Sequence, residues 1–107
     1  MAKDFTKYTV AGIDSKFNKA RLVQAIVAHY VENNTMSWDT ILAVFPNELQ
    51  GKNGVICKAI EVENERDFYI DAPISLNDGT EIVSCRQWGK HNIVYFIARA
   101  ASLGYRN

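Results

Sequence analysis

The segment Arg86-Gln87-Trp88-Gly89-Lys90-His91-Asn92 gathers two cations, two amides, an imidazole and an indole beside the start of an amphipathic stretch. A helix beginning there would offer free N–H groups and the positive end of its dipole to an anion, so a phosphate group would suit the corner. Trp88, Gly89 and Asn92 have structural explanations: an aromatic seal against the core, a sharp corner and a helix N-cap. Arg86, Gln87, Lys90 and His91 are left for a surface role. A second basic group, Lys52 and Lys58, stands beside the amides Gln50 and Asn53. Lysine and arginine meet phosphates while amide side chains offer donors and acceptors to base edges. The two groups together nominate Gln50, Lys52, Asn53, Lys58, Arg86, Gln87, Lys90 and His91 as a nucleic-acid-binding set.

Catalytic chemistry is poorly served by comparison. A metal-dependent nuclease needs paired carboxylates with a lysine, yet Asp67, Asp71, Asp78 and Glu81 are not followed by a spaced lysine on the same strand. His29 falls at the edge of a helix, and no partner can be named for His91. Cys57 and Cys85 are neither closely spaced nor joined by a histidine at metal-ligand spacing, which fits two reduced, partly buried thiols. Neither a G-x-G-x-x-G run nor a Walker lysine is present. The expectation is a binding module rather than an enzyme, with no metal and no cofactor.

The formal charge of the 107 residues is zero, but the charges are segregated. Residues 1–60 carry a net +2, residues 61–81 a net −6 and residues 82–107 a net +4. Global steering toward nucleic acid is therefore absent, and binding must come from local basic patches. The acidic stretch ENERDFYID reads as a solvated connector. A second reading takes the whole 61–81 segment as the means by which a protein-binding adaptor would occupy a basic channel on a partner.

Composition, with 48% hydrophobic and 22% charged residues, indicates one globular domain. No apolar run is long enough to span a bilayer and MAKDFTKY lacks a signal-peptide core, so a cytoplasmic protein is expected. An N-terminal arm (1–17) precedes a helical part (18–63), a β part (66–88) and a C-terminal helix (92–104). Leu22, Val23, Ile26, Val27, Tyr30 and Val31 follow helical spacing between Asn18 and Asn33. Ser37 caps a second helix ended by Pro46, and Asn53 would cap a third running to about Glu63 with Val55, Ile56, Ala59, Ile60 and Val62 inward. Phe68 and Ile70 alternate with Asp67, Tyr69 and Asp71 as in a strand. Asn77-Asp78-Gly79 is a hairpin turn between Ile74–Leu76 and Thr80–Cys85. Asn92 would cap the last helix, with Gly104 at its C-terminus.

Helices followed by a hairpin is the order of an α+β, winged helix-turn-helix-like domain with an added C-terminal helix. Trp38, Tyr69, Tyr95 and Tyr105 exceed what one small core hides, which favours a weak homodimer.

The series FPNELQGKNGV (45–55), DGTEIVSCRQWGKHNI (78–93) and FIARAASLGY (96–105) resembles a small bacterial domain associated with restriction and other phage-defence proteins. That resemblance implies an accessory specificity module beside a nuclease. The adaptor reading, which rests on the small size, the zero net charge and the acidic 61–81 segment, makes the chain instead a phage-encoded inhibitor of a host defence complex.

Overall fold

The structure, a computed structural model, describes residues 8–10 and 13–105. Most of the expected N-terminal arm, residues 1–7 with 11 and 12, lies outside the described residues. Its remainder forms an antiparallel pair, β1 (Tyr8–Val10) with β2 (Ile13–Phe17), in which Tyr8 opposes Phe17. Three helices and a second sheet follow: α1 (Lys19–Asn33), α2 (Trp38–Val44), β3 (Ile56–Lys58), β4 (Ile74–Ser75), β5 (Glu81–Ser84) and α3 (Lys90–Ser102). The fold is α+β.

Helix α1 starts where expected because the Asn18 side chain accepts the Arg21 N–H at 2.9 Å. Its stripe Leu22, Val23, Ile26, Val27 and Val31 is buried, and the Asn33 and Asn34 amides end it by donating to the carbonyls of His29 and Tyr30. Ser37 caps α2 by accepting the Thr40 N–H. Phe45 is fully buried, stacked on Phe96 of α3 with ring centroids 5.6 Å apart.

Strand β5 is the centre of the three-stranded sheet, order β3-β5-β4, with both neighbours antiparallel. Ile82 joins the main core with α1 and α3, whereas Val83 and Cys85 pack with Phe68 in a smaller cluster. Trp88 touches both clusters. The 77–79 turn forms as expected, with the positive φ taken by Gly79 alone. It also docks on α2: Asn77 Oδ1 accepts the Met36 N–H at 2.8 Å and Asp78 Oδ2 the Trp38 N–H at 2.9 Å.

Four expectations need correction. Residues 53–63 are not a helix. Gly54 sits at φ +80°, where an added Cβ would meet Asn47 Oδ1 at 2.5 Å, and residues 56–58 pair with β5 before a single 3-10 turn at Ala59–Glu61. The helix-turn-helix that α2 and this segment were to make is therefore not formed. Ile60, expected inside, is 94% exposed.

Residues 66–71 are not an alternating strand either. A 3-10 turn over Glu65–Asp67 leads into a single bridge, Phe68 to Cys85, after which Ile70 and Ala72 donate back to the carbonyls of Phe68 and Tyr69. Phe68 and Tyr69 are consequently both buried and Ile70 is exposed. The last helix begins at Lys90 with Gly89 as its N-cap, and Asn92 is its third residue rather than its cap. Finally, of the four aromatic side chains expected to exceed the core, Tyr69 is buried, while Trp38 and Tyr105 are half-buried and Tyr95 is exposed.

Gly104 does end α3. At φ +100° it donates to the Ala101 carbonyl while Tyr105 donates to that of Ala100, the two bonds of a Schellman motif. The Tyr105 hydroxyl then meets His29 Nδ1 at 2.8 Å and ties this end to α1, which gives His29 a structural task.

Hydrogen bonds from the backbone N–H groups of Thr80 and Trp38 hold the Asp78 carboxyl below its ordinary value. A depressed folded pKa adds stability that is present above the unfolded value of about 3.9 and lost as pH falls through the folded one. Asp78→Asn is expected to be less stable than the parent near neutral pH, with the gap closing as pH falls through the lowered folded-state value. Denaturant midpoints measured across that range check this; a gap that stays constant with pH would remove the carboxylate from the account.

Candidate nucleic-acid interface

Gln50 organises the corner. It is 7% exposed, and its side-chain Nε2 donates to the Gln87 carbonyl at 2.8 Å. Its Oε1 accepts the N–H groups of Lys52 at 2.7 Å and Asn53 at 2.5 Å. Asn92 completes the arrangement from α3: its Nδ2 donates to the Gln50 carbonyl at 3.1 Å and its Oδ1 accepts the Gly89 N–H at 2.8 Å. Two amide side chains thus satisfy backbone groups of two irregular segments that would otherwise lack partners where the segments meet. The indole N–H of Trp88 donates to the Cys85 carbonyl at 2.9 Å, and its ring packs edge-on to Phe96.

Around this clasp lies an open groove of about 640 Å³. It is lined by Lys52 and Asn53, by Gln87, Trp88 and Asn92, and by Asn64, Arg66 and Asp67. Four of the eight nominated residues, Gln50, Lys52, Asn53 and Gln87, therefore meet although 37 positions separate Gln50 from Gln87. Gln50 does so with its amide already spent on backbone, so it shapes the groove. Arg86, Lys90 and His91 are exposed next to it in sequence; Arg86 lines a neighbouring cavity. Lys58 lies elsewhere, on β3, with its ammonium 5.3 Å from the centroid of the Trp38 ring.

Arg66 and Asn64 were missed. Arg66 is the one cation within the acidic 61–81 stretch, and that contrast was the available signal. Only the fold brings it to the groove that Lys52 lines. The acidic stretch is not uniformly a solvated connector, because Asp67 and Arg66 line the groove and Phe68 and Tyr69 are buried.

Burial raises the pKa of both thiols, in Cys57 with help from Glu61 and Glu63, so each stays protonated and weakly nucleophilic near neutral pH. Both cysteines are free. Among the described residues no group of three His, Cys, Asp or Glu side chains could hold a metal ion, and no helix is long and apolar enough to cross a membrane. Comparison of the chain with protein families, with curated proteins and with solved structures finds no match.

Gln50→Ala should lower stability by about 2 kcal/mol, the cost of leaving buried backbone groups unpaired, whereas Lys52→Ala should change it by less than about 0.5 kcal/mol. Equilibrium denaturation of the two variants distinguishes a structural amide from a surface one, and equal effects would contradict the assignment.

Proposed function

We propose that the chain is a non-enzymatic nucleic-acid-binding module whose ligand lies in the groove between residues 50–53 and the 86–92 corner. The observation that carries this reading is the convergence of Lys52, Arg66, Asn53 and Gln87 on one open polar surface, with Arg86 and Lys90 beside it. Cations there would contact phosphates, and the exposed side-chain amide of Gln87 would face sugar or base edges. Of the winged helix-turn-helix expectation, the proposal keeps the hairpin and the basic residues. It does not keep a recognition helix, because residues 56–61 are a strand and a 3-10 turn. The restriction or phage-defence setting rests on the resemblance of residues 45–55, 78–93 and 96–105 and is proposed with it, as is a cytoplasmic location.

One observation favours the adaptor reading. Ile60, 94% exposed beside the exposed Glu61 and near Glu63, is an apolar side chain in acidic surroundings, which suits a protein surface offering a small apolar pocket within a basic field. Under that reading, Ile60→Ser would abolish capture of a stoichiometric protein partner and leave nucleic-acid binding unchanged.

A mobility-shift titration with duplex and single-stranded DNA tests the main reading. Binding at low salt should weaken as salt rises, and Lys52→Ala or Lys90→Ala should each reduce the slope of log K against log salt by about 1. Absence of binding to either form at low salt would end the proposal.

A further inference from the structure

The ring of Tyr69 carries two guanidinium groups. Arg21, in the first turn of α1, places its Cζ 3.9 Å from the ring centroid, and Arg86, just beyond β5, places its own at 5.0 Å. Backbone bonds hold the pieces in register: Tyr69 N–H donates to the Ser84 carbonyl at 2.9 Å and Arg86 N–H to the Asp67 carbonyl at 2.7 Å. Tyr69 is only 8% exposed, so its ring is a fixed wall. The two arginines line a second open cavity, of about 340 Å³, with Arg66, Glu65 and Asp71.

Both guanidinium groups lie against one ring and line one cavity, and an anion in that cavity would relieve the repulsion between their like charges. A guanidinium held against a π-face keeps the in-plane N–H groups around its edge available, and their fork geometry matches phosphate oxygens. Prior fixation by the ring also reduces the rotamer freedom lost on binding. Arg66 lines both this cavity and the groove, so the two are adjacent stretches of one surface.

We propose that Arg21 and Arg86, held on Tyr69, form a phosphate-binding clamp. The inference rests on the nucleic-acid reading only for the source of the ligand, which under that reading is a backbone phosphate of the strand lying in the groove.

The test is titration of the full chain with inorganic phosphate and, separately, with a short DNA strand, followed by NMR of the arginine Nε–H and tyrosine ring signals. Phosphate should shift the Arg21, Arg86 and Tyr69 signals saturably. Arg86→Gln should weaken that binding about ten-fold, and Arg86→Lys, which keeps the charge without the planar fork, should not restore it. Arg86 is exposed, so these variants fold whether or not Arg21→Gln does. Saturable phosphate binding lost in Arg86→Gln supports the clamp even where DNA does not bind; in that case the groove reading fails and a free phosphate compound is the ligand. DNA binding unaffected by Arg86→Gln, with only linear shifts in phosphate, overturns the clamp and leaves the groove reading standing.

Discussion

Everything in this domain is arranged around a strand that has neither a free edge nor an exposed interior face. In β5, Ile82, Val83 and Ser84 are all buried, as is the following Cys85. Such a strand must find hydrogen-bond partners on both sides and apolar cover above and below, because unpaired backbone buried away from water costs as much as a lost hydrogen bond. β3 and β4 supply the edges with three and two residues each. Sheets this small have little stability of their own, so α1 and α3 on one face and the Phe68 cluster on the other contribute most of the burial.

The same requirement produces the groove. Where β5 ends, Cys85 N–H still donates to the Val55 carbonyl and Arg86 N–H to that of Asp67, which draws three separate loops to one place. Loops brought together carry unpaired backbone groups, and Gln50 and Asn92 satisfy several of them. Because those amides turn inward, the longer charged side chains of Lys52, Arg66 and Arg86 are left at the surface. A polar, cation-bearing face is thus the outer side of a structural solution.

The segment 53–63 shows why periodicity failed locally. Val55, Ile56, Ala59 and Ile60 have the spacing of a helical stripe, but β-branched residues serve equally well in a strand. A partner strand was available, and Gly54 at a positive φ blocks helical continuation from Asn53. In the 66–71 segment, by contrast, Phe68 and Tyr69 are anchored to β5 and the chain then turns. Alternation in the sequence did not guarantee a ladder long enough to enforce it.

Local signals with their own hydrogen-bonding logic were legible from the residues alone: Asn18 and Ser37 as caps, the Asn77-Asp78-Gly79 turn, the Gly104 terminus and the apolar stripe of α1. Each is settled by interactions within a few residues, so the surrounding fold only had to tolerate it. The α+β class followed from their order. What only the tertiary structure decided was the fate of ambiguous segments and of side chains with two possible uses. Gln50 looked like a surface amide and became an internal tie, Arg66 looked like part of a connector and came to line the same groove as Lys52, and Arg21 and Arg86 came to lie against the one ring of Tyr69. Those outcomes depend on contacts between residues dozens of positions apart, where burial and the pairing of backbone groups outweigh local preference.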